Sequence, residues 1–236
     1  MNGRVGIIGD LHSEDRRLKA VLDFFEKSQV DSIVCTGDIA DGRGNIDRSC
    51  ELLKSFSVTC VRGNHDRWLI NNKVRHIPNA HFCSDLHSDS VAFLNHLQPV
   101  ERLAIGNDTL VLCHGVLDRD MQKVWPGTER TRIERSKNFD GLLTQESPRF
   151  VVNGHIHYRT LIDFEDCFLI NAGTLRGDRP AATILDVHQG TVVGYTMKDD
   201  SVMVRGATIS LSERDDRRIW KNTQEFDGTW IPVVLS

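Results

Sequence analysis

The sequence predicts an α/β protein of two packed sheets flanked by helices, and three observations carry that reading. Short apolar runs recur along the chain (RVGIIGDLH, DSIVCTGD, VTCVRGNHD, TLVLCHG, RFVVNGHIH, CFLINAGT), and each ends in a glycine-containing polar turn. Runs this short, rich in β-branched residues and bounded by glycine, read as buried strands. Amphipathic helical stretches separate the early runs, while hairpin patterns dominate later. The chain therefore begins as βα units and ends as β-meanders.

The elements follow in order. After the first run, SEDRRLKAVLDFFEKSQ places Leu18, Val21, Leu22 and Phe25 at i, i+3, i+4, i+7, with Ser13 as the expected N-cap and acids in the first turn. NIDRSCELLKSF repeats the pattern with Ile46, Cys50 and Leu53. ERLAIGNDTLVLCHG reads as a hairpin turning at Gly106-Asn107-Asp108, and TLIDFEDCFLIN and ATILDVHQGTVVGYTM as two more. Residues 66–90 and 116–140 read as insertions. Residues 1–199 form the expected domain, and 200–236 are an extension packed on it that can add strands.

Composition excludes several classes. The 236 residues are 39% hydrophobic and 26% charged, ordinary for a globular protein, and the net charge of −4 supplies no global basic field for nucleic acid or anionic lipid. The first ten residues hold too short an apolar stretch for a signal peptide, and no run approaches membrane-spanning length. The six cysteines show no CxxC spacing. Cys35, Cys60, Cys113 and Cys167 sit inside strand runs, as reduced buried thiols do. A cytoplasmic location without membrane partners is the expectation.

The chemistry lies in the turns. Asp10 and His12, Asp38, Asn64 with His65 and Asp66, His114, and His155 with His157 each directly follow a strand run. Functional groups gather at the carboxyl ends of strands in open α/β sheets, so these distant turns are expected to meet. Carboxylates, imidazoles and an amide oxygen form a mixed N/O set, suited to Mn, Fe, Zn, Ni or Co and poorly to calcium. Asp10/His12 and His155/His157 are each two apart, which in extended chain directs both members to one side. A single histidine at a strand end is ordinarily structural or solvated. Five of the ten histidines occupy this one context, however, and that joint pattern is the signal. Seven candidate ligands exceed the needs of one ion, so two divalent metals are implied, with manganese the first expectation.

GDLH, the Gly-Asp at 37–38, GNHD, the His-Gly at 114–115 and GHIH resemble, in order and over roughly residues 5–175, the five signature blocks of the calcineurin-like metallophosphoesterases. The resemblance implies a four-layer α/β/β/α sandwich. It assigns Asp10, His12, Asp38 and His157 to one metal, and Asp38, Asn64, His114 and His155 to the second, with Asp38 bridging. NAGT at 171–174 resembles the family's Asn-Pro-Gly-Ser turn, with Ala172 in place of the proline. The implied reaction is in-line attack of a metal-bridging hydroxide on phosphorus without a covalent intermediate. His65 would be the general acid, with neighbouring Asp66 expected to orient its ring.

The blocks GDLHS, GDIADG and GNHD depart from the GDxHG, GDxVDRG and GNHE of the phosphoprotein phosphatases. They are closer to the compact bacterial-type phosphodiesterases, so a phosphodiester or nucleotide is the expected substrate. A phosphomonoester or dinucleoside polyphosphate comes next. A metal-binding scaffold, like the retromer subunit of this fold, would lack the catalytic histidine, and a nuclease subunit finds no support in the net charge. Arg43, Arg67, Arg159 and Arg176 each follow a motif and are candidates for a phosphate contact. Trp125, Arg130, Arg132 and Arg135 in the second insertion either cap the site or form a solvated helix face.

Overall fold

The computed structural model describes residues 3–214 and 216–235. Twelve strands and five α-helices are distinguished among them. In chain order they are β1 (Arg4–Ile8), α1 (Asp15–Lys27), β2 (Ser32–Cys35), α2 (Ile46–Ser55), β3 (Thr59–Cys60), α3 (Asn64–Ile70), α4 (Ser88–His96), β4 (Val100–Ile105), β5 (Asp108–Cys113), α5 (Lys137–Gln145), β6 (Phe150–Asn153), β7 (Arg159–Phe164), β8 (Cys167–Ala172), β9 (Ala181–Asp186), β10 (Thr191–Lys198), β11 (Val202–Ser210) and β12 (Val233–Val234). They form two six-stranded mixed sheets, β11-β10-β9-β1-β2-β3 and β12-β7-β8-β6-β5-β4. The three expected hairpins are present as β4–β5, β7–β8 and β9–β10, and the extension adds β11 to one sheet and β12 to the other.

Strand periodicity builds the layers. Val5 and Ile7 of β1 meet Leu110 and Leu112 of β5, with Val152 and Ile170, in the core between the sheets. Ile8 faces the other way, onto Leu18, Val21, Leu22 and Phe25 of α1. Val111 and Val151 face outward beneath Phe139 and Leu142 of α5 and Trp220, Phe226 and Trp230 of the C-terminal segment. The result is four layers, helix, sheet, sheet, helix, with three apolar cores. Among the described residues no helix is long and apolar enough to cross a membrane.

Two local expectations change. Ser13 does not cap α1. Its backbone is left-handed (φ 57°) and its hydroxyl donates to the Ile39 carbonyl at 3.0 Å, so the first motif is tied to the second and Glu14 takes the cap position without a side-chain bond. The second insertion is no helix face. Residues 116–136 are irregular chain with isolated pairings such as Trp125 with Glu134, and α5 begins only after it.

Candidate metal centre

Turns hold the candidate ligands in place. Two residues after β1 stands Asp10, whose N–H donates to the Gly173 carbonyl and whose own carbonyl accepts from Leu175 N and Thr174 Oγ1. The NAGT turn thus clamps the first motif. His12 N donates to the Asp38 carbonyl at 2.7 Å, which locks the first two motifs side by side. The glycines are small for a reason. A Cβ on Gly63 would strike Asp38 Oδ1, and one on Gly154 would strike Asp10 Oδ1.

The i, i+2 argument meets a correction here. His12, His155 and His157 have φ of 47°, 66° and 57°, and Asp38 has 46°, so these side chains are aimed by left-handed turns and not by extended strand. Non-glycine residues rarely hold this conformation, and its concentration in one site is where functional geometry carries strain.

Ligand atoms of Asp10, His12, Asp38 and His157 lie within 4.8 Å of one another. His157 Nε2 is 3.1 Å from Asp10 Oδ2 and 3.2 Å from His12 Nε2, and His12 Nε2 is 3.9 Å from Asp38 Oδ2. On the other side of Asp38, His114 Nε2 lies 3.4 Å from Asp38 Oδ2 and 3.0 Å from Asn64 Oδ1. His155 stands at the edge of this second group, its ring 5.3 Å from that of His114 between centroids. Its backbone N–H donates to Asp10 Oδ2 at 2.9 Å.

The donor set fits divalent cations. His12 Nδ1 donates to the Asp41 carbonyl (3.1 Å) and His114 Nδ1 to the Thr36 carbonyl (2.8 Å), which leaves each Nε2 lone pair facing inward. Such outer bonds fix ligand tautomers at metal sites. Asp10, His12, Asp38, Asn64 and His114 are buried to within 2% of fully. Burial opposes ionisation of Asp10, but His114, His157 and His12 outweigh it and hold the carboxyl below the usual range. Burial and the charge of Asp10 push Asp38 well above it. Burial depresses His12 and His155 to about 4, keeping both imidazoles neutral and free to coordinate. Among the described residues neither carboxylate is paired with Lys or Arg. Two adjacent buried carboxylates without a guanidinium or ammonium partner lack a permanent cation, and divalent ions would supply it.

A family model described as the calcineurin-like phosphoesterase superfamily domain matches residues 4–190. The chain belongs to this superfamily. Over these residues it carries that superfamily's phosphoesterase domain. A metallophosphoesterase from Sphaerobacter thermophilus shares the fold with a TM-score of 0.62, at 21% identity over 84% of this chain and 89% of that one. An archaeal phosphodiesterase gives 0.53, at 15% identity over 82% of this chain and 99% of that one. An uncharacterized protein of Methanocaldococcus jannaschii is 34% identical over 62 residues, which is 26% of either chain.

The surroundings redistribute several expected roles. His65 lies beside the candidate ligands, its ring 4.9 Å from that of His12 and its Nε2 4.0 Å from Asp38 Oδ2. Asp66 does not orient it. The Asp66 carboxylate accepts from Gly63 N and Ala40 N, both at 2.9 Å, at the start of α3. The carboxylate on the His65 ring is Asp41, with Oδ2 2.8 Å from Nδ1. Asp41 also accepts both Nη atoms of Arg75 and the backbone N–H of His81. It was legible as the second acid of GDIADG, but adjacency in sequence favoured Asp66.

The arginines divide as well. Arg67 is bidentate to Asp120, and Arg159 is spent between the sheets on the Tyr195 carbonyl and Thr196 Oγ1. Arg43 and Arg176 are exposed and line a common cavity of about 320 Å³ with Gly42, the residue after Asp41.

Proposed function

We propose that this phosphoesterase hydrolyses a phosphodiester or nucleotide-type substrate, with His65 as the proton donor to the leaving oxygen. One observation carries the reading: His65 is anchored through Nδ1 on Asp41 Oδ2 at 2.8 Å while Nε2 faces the ligand cluster. An imidazole held by a carboxylate at one nitrogen has its other N–H fixed in direction, as a general acid needs. Two divalent ions, manganese first among Mn, Fe, Zn, Ni and Co, would supply charge neutralisation and a water of lowered pKa when bound.

Each side chain has a role in this scheme. Asp10, His12, Asp38 and His157 would hold one ion, and Asp38, Asn64, His114 and His155 the other. Asp41 fixes the His65 ring through Nδ1, and its own carboxyl stays ionised. Burial opposes that ionisation, but bonds from His65 and Arg75 hold the group at about 2. Leaving-group departure transfers the Nε2 proton to the ester oxygen. Arg43 and Arg176 are placed to attract substrate phosphate.

The test is a manganese-loaded assay against an aryl phosphodiester, an aryl phosphomonoester, cyclic nucleotides, dinucleoside polyphosphates and single-stranded DNA. Turnover highest on the diester or a nucleotide is expected. Turnover on none, with metal bound at stoichiometry, would replace the enzyme reading with a scaffold.

A further inference from the structure

A cleft of about 340 Å³ opens beside the ligand turn 155–157, with Trp125, Tyr158 and Lys123 in its wall. It shares His155 and His157 with the candidate metal centre, so a molecule whose phosphorus sits over the ligands can extend into it.

The wall is built to present an aromatic surface. Trp125 is 8% exposed and locked: its Nε1 donates to Thr131 Oγ1 at 2.8 Å, its backbone pairs both ways with Glu134, and its indole packs edge-on against Trp230 at 5.1 Å. Tyr158, directly after the ligand His157, lies on this indole with ring centroids 5.6 Å apart and planes 34° from parallel. It is nevertheless 61% exposed, and among the described residues its hydroxyl has no hydrogen-bond partner. A large aromatic side chain backed on one side, open on the other and fixed to a ligand turn is a stacking surface.

The rim is polar. Lys123, Arg132 and Glu134 offer donors and acceptors around the aromatic floor, and among the described residues Lys123 and Arg132 form no ion pair. An apolar floor with convergent polar groups at its edge suits a planar ring bearing its own donors and acceptors. An alkyl chain would leave the rim unpaired, and a bare phenyl ring would use only the floor.

Resting on the phosphoesterase reading above, we propose that this cleft is a nucleobase subsite: the substrate is a nucleoside phosphoester whose base stacks on Tyr158, buttressed by Trp125. Tyr158 is then a specificity residue on the ligand turn and takes no part in the bond-breaking step. The aromatic surface exists because Trp125 is carried there by the 116–136 segment, which accounts for that insertion's position beside the ligands.

The test is equilibrium binding to the manganese-loaded full chain, read by calorimetry, with adenosine 5′-monophosphate, ribose 5-phosphate and phenyl phosphate as probes. The wild-type chain should bind the nucleotide about ten-fold more tightly than ribose 5-phosphate, the scale of one base–aromatic stack. Tyr158→Ala should erase that preference and leave ribose 5-phosphate unchanged, while Tyr158→Phe keeps it. Equal affinity for nucleotide and ribose 5-phosphate in the wild type, or an undiminished preference in Tyr158→Ala, overturns the subsite. Phenyl phosphate binding as tightly as the nucleotide overturns the nucleobase assignment. Failure of the parent reading looks different: no probe binds and no phosphoester is hydrolysed although metal is present.

Discussion

The carboxylate of Asp41 grips the imidazole of His65 at 2.8 Å, although the two residues are 24 positions apart and Asp66 is adjacent. Chain geometry explains the choice. Asp66 sits in the first turn of α3, where its two oxygens satisfy the free N–H groups of Gly63 and Ala40. Asp41 reaches the ring because its own backbone is left-handed (φ 66°), which turns the acid back towards α3.

The pair should separate chemistry from metal binding. His65→Ala is expected to retain two metals per chain and lose about 10²–10⁴-fold in turnover. Asp41→Asn should also lose turnover, and the double variant should be no worse than His65→Ala, because the carboxylate acts through the ring. Metal analysis alongside steady-state kinetics checks this. Loss of metal in His65→Ala would make it a ligand and end the proton-donor role.

Asp41 also predicts an acid dependence of the metal-free protein. Its folded carboxyl is held at about 2 by His65 and Arg75 in spite of burial, whereas an unfolded aspartate titrates near ~3.9. A depressed acid contributes stability that is complete above the unfolded value and is lost as pH falls through the folded one. The stability gap between wild type and Asp41→Asn should therefore be constant above about pH 5 and close between about pH 4 and pH 2. Urea midpoints across that range measure it, and a gap that widens towards acid would contradict the assignment.

Much of the fold was legible because strand ends and glycine coincide. The six apolar runs became β1, β2, β3, β5, β6 and β8, and Leu18, Val21, Leu22 and Phe25 face the core as their spacing required. The site was legible as a residue set, since Asp10, His12, Asp38 and His157 converge, with His114 and Asn64 against Asp38. The aiming of those side chains was not. Left-handed φ at His12, His155 and His157 follows from contacts between distant turns, which local periodicity does not encode. For the same reason Ser13, a good cap by type, is drawn away to Ile39. The irregular 116–136 segment has no period from which a helix or strand could be inferred.

The motif glycines give a sharper variant than the ligands themselves. A Cβ at Gly154 meets Asp10 Oδ1 and Thr36 Oγ1 together, and Asp10 is held on all sides, so Gly154→Ala should lower metal affinity with every ligand residue still present. Gly141 in α5 is the control. Its nearest neighbour to a new Cβ is Gln145 Nε2 at 3.7 Å, and Gly141→Ala should raise stability by up to about 1 kcal/mol with metal content unchanged. Thermal unfolding and metal titration of the two variants distinguish steric from general effects.

Of the four arginines that follow a motif, Arg43 and Arg176 are the two left for phosphate, because Arg67 and Arg159 are committed elsewhere. Removing either should raise KM several-fold with a smaller change in kcat. Arg67→Ala should act on stability through the lost Asp120 pair instead. A KM unchanged in both Arg43→Ala and Arg176→Ala would remove these two arginines from substrate binding.

Asp38 should be the residue on which both metals depend. Its Oδ2 lies 3.9 Å from His12 Nε2 on one side and 3.4 Å from His114 Nε2 on the other, and its Oδ1 accepts from His65 N at 2.8 Å, which fixes the carboxylate plane between the two groups. Without cations, burial and Asp10 push this group towards its neutral form. Ions on both sides would reverse that, so binding should release protons and raise the melting temperature as manganese is added. Asp38→Ala should abolish both effects. His157→Ala should remove one ion, since it leaves Asn64, His114 and Asp38 in place, and His114→Ala should remove the other. Metal stoichiometry by mass spectrometry reads all three variants, and an Asp38→Ala chain that still holds one ion tightly would assign the bridge to another residue.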